Sequence, residues 1–267
     1  MSLPADYHMH TWLCRHAVGE PVEYAARAQA LGMKEIAFTD HSPMPKFFDN
    51  WRMLFEDLGT YVEKVREAQR QFPNLVIRLA MEVDYFPGGE DWIRELTVMY
   101  PWDFLIGSVH YVSDTWAIDD PKDVHQWKGR DPYEVWEAYF ERLAMAARSG
   151  LFEVIGHADL PKKFGVYPGR DCTVIFERFL EVARKSGVAL DVNTAGLRKD
   201  CKEIYPSRQF MALAAARRVP ITFGSDAHAP EEVGMAFDQA VRMVRELGYT
   251  HYSRFAGRQR LESPIEA

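Results

Sequence analysis

Cysteine is scarce in this chain, and nowhere placed to build structure. Cys14, Cys172 and Cys201 are the three cysteines in 267 residues. Their odd number and wide separation exclude a disulfide framework and a Cys-x-x-Cys zinc site. Such usage fits a reducing cytoplasm. Long apolar runs are also missing: the longest, residues 210–216, is far too short to span a bilayer. Residues 1–6 carry neither the basic region nor the apolar stretch of a signal peptide, which points to a soluble, unexported protein. Positive charge is not in excess. With 32 basic against 39 acidic side chains and a net charge of −7, the overall field disfavours extended nucleic acid, though not a small phosphate ligand. No GxSxG, GxxxxGK[ST] or GxGxxG motif occurs, which removes the commonest serine-hydrolase, NTPase and dinucleotide-binding readings.

What is present is a regular alternation. Short apolar or β-branched runs predict strands at residues 7–8, 36–39, 76–83, 104–109, 154–155, 188–192 and 221–223. Helical patterns with proline or acidic starts, several ending in glycine, fill the gaps at 21–32, 56–71, 90–99, 132–150, 171–187, 206–218 and 230–248. No Ser/Gly-rich linker, charge block or repeat divides the series, so residues 1–267 read as a single α/β domain with a parallel sheet. Each predicted strand is followed at once by a polar residue capable of chemistry: His8 and His10, Asp40-His41, Glu82, His110, His157, Asn193, and Asp226 with His228. An open sheet gathers its site at one crevice, whereas a contribution from every strand end is what a ring delivers. The expectation is a barrel of seven strands.

The histidines carry the chemistry. In an extended segment residues i and i+2 point the same way, so His8 and His10 can reach one ion, and Asp226 with His228 repeats the spacing. Exposed loops alone would place Ser, Asn, Lys or Gly at strand ends at least as often as His. Imidazoles and carboxylates crowded at one end of a barrel need partners to offset desolvation, and divalent cations supply them. His125 and His251, by contrast, read as solvated or structural, with the mouth of the site as the alternative for His125.

The ordered series HxH, TDH, a strand-end Glu, GSVH, GHADL and GSDAH resembles the polymerase-and-histidinol-phosphatase (PHP) superfamily. The stretches Asp6-Tyr7-His8-Met9-His10-Thr11 with Cys14 and His16, Phe38-Thr39-Asp40-His41-Ser42-Pro43, and Asn193-Thr194-Ala195-Gly196-Leu197-Arg198-Lys199 look like its histidinol-phosphate phosphatase branch. That resemblance implies a distorted, TIM-like (β/α)7 barrel with a trinuclear metal centre at the C-terminal ends of the strands. Carried over position by position, one ion takes His8, His10, Glu82 and Asp226. A second shares Glu82 and adds His110 and His157, and a third takes His16, His41 and His228. The inclusion of His16 and the grouping into three ions rest on the family alone.

Clustered divalent cations suit phosphoester hydrolysis, because they neutralise phosphate charge and lower the pKa of a bridging water from 15.7 toward about 7, making an attacking hydroxide. Imidazole and carboxylate ligands without thiolate suit Zn, Fe or Mn, in two to three sites and with mixed occupancy allowed. Arg198 is a candidate for gripping two phosphate oxygens, and the resembled branch places an arginine of this motif on substrate phosphate; Lys163 is a second candidate. Protonation of the leaving alcohol falls to Asp226 or His228. Tyr7, Trp12, Phe47, Phe48, Trp51, Trp116 and Trp127 are aromatics that could stack on an imidazole. The expected activity is hydrolysis of L-histidinol phosphate in histidine biosynthesis. The alternatives are a PHP phosphoesterase acting on nucleotides or nucleic-acid ends, and a metal-bound accessory domain without turnover. No exposed apolar stripe marks a subunit interface.

Overall fold

In the computed structural model, which describes residues 3–266, parallel strands and helices alternate along the chain. Met1, Ser2 and Ala267, parts of the terminal and whole-chain expectations above, lie outside the described residues. The strands are β1 (Glu35–Phe38), β2 (Val76–Asp84), β3 (Phe104–Ser108), β4 (Tyr111–Ser113), β5 (Trp116–Ala117), β6 (Val154–Ile155), β7 (Ala189–Asn193), β8 (Ile221–Gly224), β9 (His251–Ala256) and β10 (Gln259–Pro264). The helices are α1 (Pro21–Ala30), α2 (Leu58–Gln71), α3 (Glu90–Met99), α4 (Pro132–Arg148), α5 (Thr173–Ser186), α6 (Arg208–Ala216) and α7 (Phe237–Glu246). Local chemistry sets their ends. Asp131 caps α4 by accepting from Tyr133 N, with Pro132 at the first helical position, and Gly187 ends α5 in a left-handed conformation.

Six strands form one parallel sheet in the order β1-β2-β3-β6-β7-β8. The expected seventh strand at 7–8 is not a regular strand, yet its segment fills the gap. Ala37 N donates to Asp6 O at 2.8 Å and Thr39 N to Met9 O at 3.0 Å on the β1 side. Tyr7 N donates to Phe223 O at 2.9 Å and His10 N to Ala227 O at 2.8 Å on the β8 side. Bonds alternate between the two neighbours and leave only isolated bridges at Asp6 and Met9, so the ring closes through a sparse ladder. The result is a distorted barrel. The helix expected over 230–248 is interrupted: a short 3-10 turn, Pro230–Glu232, precedes α7, with Gly234 and Ala236 between them in left-handed conformations that an α-helix cannot accommodate.

Two apolar layers follow from the period of two along each strand. Outward residues such as Ile36 and Phe38 pack under the helices, while Ala37, Ala80, Phe104, Ile106, Val154 and Ala189 fill the interior with Tyr7. Phe255, from the β9–β10 hairpin, joins this inner cluster. The hairpin was not expected from the sequence. Its outer strand is nearly all exposed, so it lacks the alternation that marks a half-buried strand. Its tight turn uses Gly257 and Arg258, both at positive φ. Among the described residues, no helix is long and apolar enough to cross a membrane.

Candidate metal centre

The inner face of the barrel changes chemistry along each strand. On β2 the side that buries Ala80 next presents Glu82 and then Asp84; on β7 Ala189 is followed by Asp191 and Asn193. On β3 the side that buries Ile106 next presents Ser108, and His110 follows just beyond the strand end. Small or apolar residues thus fill the base and polar residues, candidate ligands among them, reach the rim, without a change of register. Space at the rim is held open by glycine: a Cβ on Gly224 would lie 2.5 Å from both Asp191 Oδ1 and the His8 Cβ.

Glu82 is the hub. Its Oε2 lies 3.3 Å from His8 Nε2, 3.5 Å from His10 Nε2 and 3.0 Å from His41 Nδ1. Its Oε1 lies 3.0 Å from His157 Nε2 and 3.8 Å from His110 Nε2, and accepts from Ser108 Oγ. Asp226 Oδ1 faces His10 Nε2 at 3.3 Å and His228 Nδ1 at 3.5 Å. His228 Nε2 meets His16 Nε2 at 2.8 Å. All nine expected ligands therefore meet at one end of the barrel: the first six are buried, Asp226 and His228 partly so, and His16 stands exposed at the edge.

These residues fit metal ions. His8 Nε2, His10 Nε2, His41 Nδ1 and Glu82 Oε2 are buried and have no hydrogen-bond partner, an arrangement that costs about 1–3 kcal/mol per atom unless something sits between them. Ligand atoms of His8, His10 and Glu82 lie within 4.8 Å of one another, as do those of Glu82, His110 and His157, and those of His10, His41 and His228. The second group matches a set implied by the family, and the first matches another but for Asp226. The third holds His41 and His228 as expected but takes in His10, with His16 reached through His228.

Electrostatics agree with a cation-seeking site. Burial pulls His8 down, but the Glu82, Asp226 and Asp191 carboxylates together hold it well above the usual histidine range. His110 behaves likewise and is pushed up to about 10 by Asp84 and Glu82 against the effect of burial. Burial would raise Glu82, yet His41, His8 and His110 keep it well below the carboxylate range. His41 and His228 are driven well down, chiefly by burial.

Four of the nitrogens facing away from the centre are also held, while that of His157 is buried without a partner. His8 Nδ1 pairs with Asp191 Oδ2 at 2.7 Å and His110 Nδ1 with Asp84 Oδ1 at 2.7 Å. His16 Nδ1 meets Cys14 O at 2.7 Å, and His10 Nδ1 lies 3.4 Å from Cys14 Sγ. Such partners fix ring orientation and tautomer. Asp84, Asp191 and Cys14 were not singled out for this role from sequence. The available signal was position: Asp84 is two residues after Glu82, and Asp191 two before Asn193.

Above the centre opens a cavity of about 390 Å³. Lys163 lines it, with Nζ donating to Asp119 O at 2.7 Å and to Asp119 Oδ2 at 3.0 Å. Burial opposes the charge on Asp119, but Lys163 and then His110 bring its pKa down to about 2. Arg198 does not line the cavity. Its Nη2 donates to Ser225 O at 2.9 Å and Asp226 O at 3.0 Å, and its Nε pairs with Glu232 at 3.1 Å. Those contacts brace Asp226 in a left-handed conformation, φ 50°, and leave Arg198 Nη1 buried without a partner. The neighbouring Lys199, not singled out from sequence, lines the cavity instead. Of the seven aromatics, Trp51 lines the cavity, edge-on to His41 and His110 with ring centroids at 4.7 and 5.3 Å. Tyr7 belongs to the barrel interior, and Trp116 packs on Trp127. His125 and His251 are exposed and do not line the cavity, although His125 Nδ1 meets the carbonyl of Lys122, a lining residue, at 2.8 Å.

Comparison with known proteins places the chain in a family. The family model for the PHP domain matches residues 6–195, and the PHP-associated model matches residues 207–243. A Deinococcus radiodurans protein named "Probable histidinol-phosphatase" is 43% identical over 245 residues, covering 91% of this chain and 93% of its own length. The Bacillus subtilis protein named histidinol-phosphatase is 29% identical, covering 87% of this chain and 96% of its own. The fold is shared with the histidinol phosphate phosphatase of Lactococcus lactis, solved with zinc, L-histidinol and phosphate. That match has a TM-score of 0.84 at 20% identity, over 98% of this chain and 100% of the other. From the order of its motifs, its barrel and a family match over most of its length, this chain belongs to the PHP family.

Proposed function

We propose that this protein is a metal-dependent phosphomonoesterase that hydrolyses L-histidinol phosphate to L-histidinol and phosphate. The observation that carries the proposal is Glu82, whose two carboxylate oxygens face five imidazoles across a buried rim where ligating atoms lack partners. Support for the substrate comes from the names of the relatives in D. radiodurans and B. subtilis, and from the L-histidinol and phosphate held by the L. lactis structure.

His8, His10, Glu82 and Asp226 would hold one cation, Glu82, His110 and His157 a second, and His41 and His228 with His16 a third. The complement is thus two to three ions of Zn, Fe or Mn. Such ions, when bound, supply charge neutralisation and an acidified water. The chain does the rest. Lys163 and Lys199 face the cavity as phosphate-binding cations, and Arg198 Nη1 is a buried donor without a hydrogen-bond partner. Asp226, kept ionised by His8 and its neighbours against burial, or His228 beside it would pass a proton to the leaving alcohol. His228 orients that carboxylate from 3.5 Å. Trp51 forms an apolar wall for the imidazole. The net charge of −7 argues against extended nucleic acid as a partner, and three free cysteines suit a reducing cytoplasm.

Steady-state kinetics on a panel of phosphomonoesters tests the reading. The expected result is a kcat/KM for L-histidinol phosphate exceeding those for AMP and glycerol phosphate by about 1000-fold or more, since several polar groups are left unpaired by the wrong ligand at about 1–3 kcal/mol each. Comparable values across the panel would contradict it in favour of a general phosphoesterase. Activity confined to oligonucleotide ends would point to a nuclease.

A further inference from the structure

The cavity meets its ligand with charges of both signs. Four carboxylates line it: Glu82, Asp119, Asp120 and Asp226. Glu82 and Asp226 belong to the metal centre. Asp120 turns one oxygen back to cap its own loop, Oδ1 accepting from Lys122 N at 2.8 Å. Asp119 is the one of the four that is paired with a lysine. Its Oδ2 pairs with Lys163, while its Oδ1 receives no hydrogen bond from the protein. Its place beside the metal rim is fixed by the backbone, because the preceding residue, Ile118, donates its N–H to the carbonyl of His110 at 2.8 Å.

In L-histidinol phosphate the ammonium sits on the carbon next to the ester-bearing carbon. By ordinary bond lengths its nitrogen lies on the order of 3 Å from the ester oxygen. A phosphate held at the rim therefore brings the ammonium to the first wall above the ligands. The acceptor must be an ionised carboxylate that borders the metal centre without belonging to it. Resting on the phosphatase reading above, we propose that Asp119 is the specificity-determining residue for the substrate amine, its Oδ1 receiving the ammonium of a 2-aminoalkyl phosphate. Lys163 then lies between the two anions, tied to Asp119 and turned to the phosphate. The site selects esters that carry a cation beside the phosphate, because an ester without one leaves Asp119 Oδ1 without a donor next to the phosphate charge.

The test compares the metal-loaded wild-type enzyme with Asp119→Asn on two substrates, L-histidinol phosphate and its des-amino counterpart, 3-(imidazol-4-yl)propyl phosphate. Wild type is expected to prefer the amine by about 100-fold in kcat/KM. Asp119→Asn is expected to lose most of that preference by falling on the amine substrate alone. Asp119→Glu, which keeps the charge, is expected to retain a preference of at least about tenfold. Equal losses of Asp119→Asn on both substrates, loss of its bound metal, or no difference between the Asn and Glu variants overturns the proposal and makes Asp119 a structural partner of Lys163. A wild type that hydrolyses other esters but not L-histidinol phosphate overturns the phosphatase reading and the proposal together. That result is told apart because it is seen before any substitution is made.

Discussion

Glu82 Oε2 and His8 Nε2 lie 3.3 Å apart at the barrel rim, both buried and both without a hydrogen-bond partner. Two such buried atoms facing each other are stable together only with a proton or a cation between them. His10 Nε2 and His41 Nδ1 share that situation around the same oxygen. The centre is therefore organised around one carboxylate, and its behaviour follows from that carboxylate.

Replacing Glu82 with Gln keeps the shape and removes the charge that joins two ligand groups. We expect Glu82→Gln to lose bound metal and activity together, with turnover falling on the order of 1000-fold or more. His110→Ala should behave in the same way through the second group. Elemental analysis beside a phosphate-release assay reads both quantities, and a variant that keeps full metal content while losing activity would contradict the hub role of Glu82.

Asp191 touches His8 only on the side away from the cluster, at 2.7 Å. Asp191→Asn should keep the fold and weaken metal binding about 10–100-fold, the usual effect of losing a carboxylate that orients a ligating imidazole. Chelator competition measures it. Unchanged affinity would mean that the barrel wall alone orients His8.

Arg198 is spent on Ser225, Asp226 and Glu232 except for Nη1. If Nη1 meets phosphate, Arg198→Ala keeps its metal and lowers kcat/KM by about 2–4 kcal/mol in transition-state stabilisation. A loss within about twofold, well under 1 kcal/mol, would leave Arg198 only its bracing role and assign the phosphate to Lys163 and Lys199.

The Lys163–Asp119 pair predicts how acid affects the metal-free protein. Asp119 is lowered from 3.8 to about 2 on folding, so the folded state favours its ionised form. Its stabilisation, roughly 2 kcal/mol, is fully present above about pH 5 and is lost as pH falls through about 2. Urea unfolding should then show Asp119→Asn less stable than wild type at pH 7, with the gap closing toward pH 2. A constant gap would place the effect in packing rather than charge.

Much of the candidate site was legible in the sequence because its proposed ligands, His16 apart, end strand-like runs, and period two puts His8 with His10 and Asp226 with His228 on common sides. Barrel closure was legible for the same reason, although the segment at 7–8 pairs too sparsely to make a strand. Other features depend on tertiary placement. A short 3-10 turn, Thr194–Arg198, decides that Lys199 rather than Arg198 lines the cavity, and no pattern in the sequence encodes that choice. Nor could composition separate Trp51 from six other aromatics, because the distinction lies in where the loop after β1 folds.

The most direct test of a metal-dependent phosphatase is the metal content of the purified protein, measured with L-histidinol phosphate turnover before chelation, after chelation and after metal is restored. The account predicts two to three divalent transition ions per chain, activity abolished on their removal, and recovery on their return. A metal-free protein that hydrolyses the substrate at the full rate would contradict it.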